Sequence, residues 1–182
     1  MASVAESVAT RPEQASLSVR FATERDVPAL IQLINRLARE ATLLFVVPID
    51  PETGAEDLRQ FLRAAAASGN NAVFVAALGD EMAGLVTATG GVHPAKRAAV
   101  EVGIGVLEAH RGCGIGRALM AALEDWARAV RIHRLQLPVV ATNAAAIALY
   151  RKAGFTTEGV LRESVMLDGR PADQLMMAKL LG

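Results

Sequence analysis

The stretch HRGCGIGRALMAALEDWARA, from His110 to Ala129, sets Gly112, Gly114 and Gly116 at alternate positions immediately before an amphipathic run. Glycine disfavours a helix interior by about 1 kcal/mol per residue relative to alanine, so a cluster at a helix entrance serves something other than helix stability. Backbone N–H groups at a helix start lack intrahelical partners, and the macrodipole there is equivalent to about half a positive charge. Phosphate oxygens are favoured at such a place, and glycines let the backbone approach them. Two phosphate loops with fixed spacings do not fit. The dinucleotide fingerprint G-x-G-x-x-G fails, because counting from Gly112 reaches Arg117 and counting from Gly103 reaches Glu108. The triphosphate loop G-x-x-x-x-G-K-[ST] does not occur in the chain.

The run that leads into this loop, AAVEVGIGV from Ala98 to Val106, holds a second chemically competent group, Glu101. On a regular strand Glu101, Gly103 and Gly105 face one side and Val100, Val102, Ile104 and Val106 the other. A carboxylate in a central strand is expensive unless paired, so Glu101 is expected to have a partner or a task. A buried structural hydrogen bond and proton abstraction account for it equally well, and a water relay competes for the second role. Glu40 and His93 are weaker candidates, since a helix-end glutamate and a loop histidine are ordinarily solvated. His110 and His133 read as surface or packing residues.

These groups need elements to position them. LSVRFAT, Leu17 to Thr23, reads as a strand, and Thr23 with Asp26 resembles a capping box ahead of Val27, Leu30, Ile31, Ile34 and Leu37 at helical spacing. That helix is expected to run to about Arg39, and a second from about Ala55 to Ala67. AVFVAAL, AGLVTATGG and AAVEVGIGV form a three-strand meander. The glycine-led helix has Ile115, Leu119, Ala122, Leu123, Trp126 and Val130 on one face. Strand RLQLPVV, helix AAAIALYRKAG and strands beginning at Phe155 and near Leu175 follow. The pattern predicts one α/β domain over residues 17–182, a mixed and mostly antiparallel sheet of about seven strands with helices on both faces. Residues 1–16 read as a disordered leader.

Composition narrows the partners. Formal net charge is zero with no long charged block, which argues against nucleic acid. Cys113 is the only cysteine, so an internal disulfide and a cysteine-rich metal site are excluded, no metal is expected, and the chain reads as intracellular and cytoplasmic. No apolar run reaches the ~20 residues of a membrane span.

Arg111-x-x-Gly114-x-Gly116, after a strand and opening a helix, resembles the pyrophosphate loop of the GCN5-related N-acetyltransferase (GNAT) superfamily. ATNAAAIALYRKAGF is similar to that superfamily's N-x-x-A-x-x-L-Y-x-K-x-G-F segment, with Asn143, Ala146, Leu149, Tyr150, Lys152, Gly154 and Phe155 in register. The resemblance covers about Leu17 to Leu181. It implies that backbone amides of Gly112, Cys113, Gly114, Ile115, Gly116 and Arg117 wrap the pyrophosphate of acetyl-CoA, with Arg111 and Arg117 adding charge. It also implies that the fourth and fifth strands splay, so that a pantetheine arm lies in the gap against backbone near Ile104, Gly105 and Val106. Pro138 fits a strand whose neighbour has peeled away, and fits equally a strand start. Asn143, followed by Ala146, offers its amide to the pantetheine, while capping the next helix is a structural alternative that is compatible with it. Tyr150, the only tyrosine, is implied as the acid beside the coenzyme sulfur, with ring packing as the other reading. Transfer in this family goes directly from coenzyme to amine, so no covalent role is expected of Cys113.

The whole pattern, including the D-G-x-x-x-D element at Asp168, Gly169 and Asp173, is similar to amino-acid and phosphinothricin-type N-acetyltransferases and, more distantly, to ribosomal-protein N-terminal acetyltransferases. The implied acceptor is a small primary amine such as an amino acid; a protein N-terminus is the alternative, and a noncatalytic acetyl-CoA-binding regulatory module is the reading from another class. Pro171 stands where the first subgroup often has an aromatic residue, which implies a different pocket wall. Family habit and the apolar C-terminal LMMAKLL point to a homodimer.

Overall fold

A computed structural model describes residues 16–40, 43 and 46–182. The leader expected over residues 1–16 lies outside them except for Ser16, and residues 41–42 and 44–45 lie outside them too. The elements run β1 (Leu17–Phe21), α1 (Val27–Glu40), α2 (Gly54–Ser68), β2 (Ala72–Leu78), β3 (Glu81–Gly90), β4 (Ala99–Val106), α3 (Ile115–Ala129), β5 (Arg134–Val140), α4 (Ala144–Lys152), β6 (Thr156–Leu167) and β7 (Arg170–Leu180). The last strand begins at Arg170, earlier than the expected start near Leu175, because Asp168 and Gly169 (φ +48° and +76°) form a two-residue hairpin turn that pairs Leu167 with Arg170.

The seven strands form one sheet in the order β1-β2-β3-β4-β5-β7-β6, antiparallel throughout except for the β4–β5 pair. Helices cover both faces, as expected. On one face α3 and α4 pack on Phe74, Val86, Val100, Val102, Leu135 and Leu137; on the other, α1 and α2 pack on Val73 and Val75. The α3 stripe differs at its end: Ile115, Leu119 and Leu123 are fully buried, but Val130 is 37% exposed and Met120 and Ala127 are buried instead. A stripe read at fixed spacing drifts off the contact line as the helix leaves the sheet.

The capping box exists and carries more than a cap. Asp26 accepts from Thr23 N and Oγ1 and takes a bidentate pair with Arg20 at 2.7 Å for each contact, joining β1 to the turn before α1. The Arg20 guanidinium, with the Thr23 bonds, holds the Asp26 carboxyl down at about 2 against desolvation. A depressed carboxylate adds stability above its unfolded value near 4, and that stability is lost as pH falls through about 2. Asp26→Asn is therefore expected to lower unfolding free energy by roughly 2 kcal/mol at pH 7 and to flatten the acid limb between about pH 4 and 2; urea melts across that range measure both.

Candidate active site

The parallel ladder between β4 and β5 has only three rungs, Ala99–Arg134, Val100–Leu135 and Glu101–Gln136. Backbone bonds explain where it stops. Arg134 N bonds Ala98 O, whereas Ala141 N bonds Asp173 O and Leu181 N bonds His133 O, so even-numbered residues of β5 point their backbone groups at β4 and odd-numbered ones at β7. The next donor required by β4 would be residue 138, and Pro138 has no N–H. Proline thus ends the ladder inside β5, not at its start, and the expected splay between the fourth and fifth strands follows.

The same parity decides what lines the gap. Leu107 N bonds Ala83 O, which places the odd residues of β4 in the ladder to β3 and leaves the N–H and C=O of Ile104 and Val106 pointing into the gap. Gly105 pairs across to Leu85, so its own backbone serves the sheet. The Val106 carbonyl accepts from Arg111 Nε at 3.3 Å, which brings the first residue of the glycine loop back over the mouth of the gap.

The loop is built by two left-handed residues, Gly112 (φ +79°) and Gly114 (φ +83°), a conformation that a β-branched residue rarely adopts. A Cβ on Gly112 would meet nothing within 4 Å and one on Gly114 only Arg117 at 3.9 Å. The space over both is open, as an anion cradle requires. Gly116 has a different reason: its Cβ would lie 3.1 Å from Leu149 Cδ2, so it permits α3 and α4 to pack closely. The Ile115 side chain is buried in the core, and Arg117 is exposed beside the loop. The exposed Cys113 Sγ donates to Arg111 O at 3.8 Å. Cys113→Ala is expected to retain at least half of the parent kcat/KM for acetyl transfer, measured as thiol release.

Helix α4 brings two more residues. Asn143 caps it, Oδ1 accepting from Ala146 N at 3.2 Å, and no described group bonds its Nδ2. The capping and ligand-binding readings thus use different atoms of one amide. Tyr150 is 7% exposed, with its ring tilted against Phe155 at 5.9 Å. No hydrogen bond joins its hydroxyl to a described residue, and burial pushes the phenol up to about 12.

The structure sets the three acceptor-side candidates in different surroundings. Glu101 is exposed rather than buried, so desolvation does not compel it to have a partner. It stands on the α1–α2 face beside Gln136, whose Oε1 accepts from Arg134 Nε at 2.7 Å. Glu40 is engaged structurally: it accepts from Glu108 N at 2.9 Å and faces Arg36, tying α1 to the segment after β4. His93 lies in the β3–β4 connection, at the end of β4 away from the glycine loop, and its Nδ1 accepts from Ala95 N at 3.2 Å. Pro171 is exposed one rung from the hairpin turn, opposite Met166. Sequence reading passed over Gln136 and Gln174, because a glutamine inside a strand has no motif of its own.

A parted parallel strand pair, with the N–H groups of Ile104 and Val106 facing the gap beside an open, glycine-led helix start, has the shape and the donors that suit the amide arm and pyrophosphate of coenzyme A. The chain belongs to the acetyltransferase (GNAT) family, whose sequence profile matches residues 32–155. It is 27% identical over 165 residues to an L-methionine sulfoximine/L-methionine sulfone acetyltransferase of Pseudomonas paraeruginosa, covering 89% of this chain and 93% of that one. It is similar to the crystal structure of a ribosomal-protein-alanine N-acetyltransferase from Brucella melitensis, at 32% identity and TM-score 0.80, covering 90% of this chain and 99% of that one. The fold matches that of yncA from Salmonella typhimurium, solved with its cofactor acetyl-CoA, at 24% identity and TM-score 0.81, covering 91% and 94%. The chain is an acetyl-CoA-dependent N-acetyltransferase. No helix of the described residues is long and apolar enough to cross a membrane.

Proposed function

We propose that this enzyme acetylates the primary amine of a small molecule, an amino acid or a related compound. The observation that carries the reading is the open β4 edge at Ile104 and Val106, opposite Pro138, with the glycine-led helix start at one end and an exposed Glu101 on the α1–α2 face. The near full-length similarity to an enzyme named for methionine derivatives supports a small acceptor. The similarity to a ribosomal-protein-alanine acetyltransferase supports the second reading, a protein N-terminus.

Bound acetyl-CoA supplies the acetyl group as a thioester. In the proposed assignment, amides of residues 112–117 hold the pyrophosphate, with the charges of Arg111 and Arg117 nearby, and Asn143 Nδ2 donates to a pantetheine carbonyl. The Val106 N–H donates to the carbonyl oxygen as the amine nitrogen adds, a backbone donor aimed where charge develops. The Tyr150 hydroxyl donates to the departing sulfur. Glu101, directly or through water, takes the proton that the amine gives up. A lysine-like amine with pKa ~10.4 needs about 4 to 5 kcal/mol to deprotonate at neutral pH, and an α-amine with pKa ~8 about 1. An exposed carboxylate suffices for the second case, which favours α-amines in both readings.

Thiol release from acetyl-CoA with a panel of amino acids, polyamines and N-terminal peptides tests the proposal. Turnover of free amino acids above peptides supports it, the reverse supports the second reading, and saturable coenzyme binding without turnover on any amine defeats both. We also propose a cytoplasmic homodimer; of the apolar LMMAKLL run, Met177, Ala178 and Leu181 are buried in the protomer and Leu180 is exposed.

A further inference from the structure

Strand β7 carries one buried polar side chain on the acceptor face, and an irregularity in its neighbour holds that side chain in place. Between Leu161, opposite Gln174, and Val165, opposite Ala172, three residues of β6 stand against Asp173 alone. Asp173 Oδ1 accepts from the N–H of Glu163, which sits at φ +51°, a conformation unusual for a non-glycine residue. This latch carries Ser164 to Gln174, with Ser164 Oγ 3.1 Å from Gln174 Oε1 and also 3.1 Å from Leu161 O. Bulges of this kind re-aim side chains.

Gln174 is only 7% exposed. Its outer atom, Nε2, bonds no described group, yet no fully buried side-chain nitrogen or oxygen among the described residues lacks a partner. The Nε2 end therefore opens onto accessible space. Register fixes the direction. Leu175 and Met177 lie with Leu137 and Val139 in the core under α3 and α4, so Gln174, opposite Val140, faces the other way, to the side that holds Glu101, Gln136 and Pro138. It stands on β7, one strand beyond the gap and about 4.8 Å past β5. A glutamine one strand from the gap, on the same face as Glu101, is within a side chain's length of groups carried beside an acceptor amine that approaches from that face.

We propose that Gln174, held by Ser164, is a specificity-determining residue that donates to an oxygen on the carbon next to the acceptor's amine-bearing carbon, the carboxylate of an amino acid or the first carbonyl of a peptide. The inference rests on the acetyl-transfer reading and deepens it, because it separates α-amino acid derivatives from plain alkylamines and polyamines. A site built to hydrogen-bond one substrate group strongly rejects the analogue that lacks it.

The test compares the best acceptor amino acid of the panel, its primary amide, and the amine with hydrogen in place of the carboxyl group. Gln174→Met keeps the length and loses both donors. It is expected to lower kcat/KM for the first two at least about tenfold, chiefly through KM, and for the plain amine by less than threefold, with the acetyl-CoA Kd unchanged. Gln174→Glu keeps the Ser164 contact but presents an anion, and is expected to harm the amino acid more than its amide. Ser164→Ala, which leaves Gln174 intact but unheld, is expected to show the same selective loss in weaker form. Equal loss on all three acceptors, or no loss on any with Gln174→Met, overturns the proposal, and so does a Ser164→Ala profile with no selectivity. Failure of the underlying reading has a different signature, no turnover of any amine by the unsubstituted protein, which overturns both.

Discussion

Tyr150→Phe is expected to lower kcat by at least about 10²-fold while changing the Kd for acetyl-CoA by less than about threefold. The substitution keeps the ring that packs on Phe155 and removes only the hydroxyl, which no described residue engages. Loss of one neutral hydrogen bond in the ground state is worth roughly 1 kcal/mol, whereas a donor aimed at developing charge contributes roughly 3 to 4. With the phenol raised to about 12, full proton transfer to a thiolate of pKa ~8.5 is uphill by about 5 kcal/mol, so the role proposed for the hydroxyl is foremost that of a hydrogen-bond donor to the leaving sulfur. The pH profile carries the same signature. An unperturbed tyrosine ionises near 10 and would leave a basic limb there; this one keeps its proton, so kcat at saturating amine should show no tyrosine limb up to about pH 10. Burial favours the neutral phenol only in the folded chain, so the stability tied to it is intact below about 10 and is lost as pH rises towards 12. A Phe variant with kcat within threefold of the parent would return Tyr150 to a packing role.

Gly114→Val is expected to weaken acetyl-CoA binding by about 100-fold or more, with an unfolding free energy reduced by only about 1 to 3 kcal/mol. Valine at φ +83° either holds the loop under strain, with its side chain standing in the open space of the cradle, or lets the loop relax and scatters the amides. Both routes remove the proposed anion site, and a Cβ there makes no clash in the core, since nothing but Arg117 lies within 4 Å. Gly169→Val supplies the control. Gly169 has φ +76° and nothing within 4 Å, but it sits in the β6–β7 turn, so it should lose comparable stability with no change in coenzyme affinity. Calorimetry on both variants separates strain from site, and unchanged affinity in a folded Gly114→Val protein would place the pyrophosphate elsewhere.

The order of strands and helices, the glycine loop, the Asn143–Phe155 segment and the side-to-side alternation around Glu101 were all legible in the chain. Each is a local pattern, set by the 2.0 and 3.6 residue periods and by the few conformations that glycine and proline allow. The role of Pro138 was half legible: a missing donor is a property of the residue, but which neighbour lacks it depends on backbone parity across three strands. What only the tertiary structure decided is nonlocal. It set β7 between β5 and β6, engaged Glu40 with Glu108 across 68 positions, left Glu101 exposed, and sent His93 to the far end of β4. It also turned Asp173 from a motif letter into the latch of a bulge that aims Gln174. Burial and hydrogen-bond partnership are properties of pairs distant in sequence, fixed by register when the sheet assembles, and no window along the chain contains both members of such a pair.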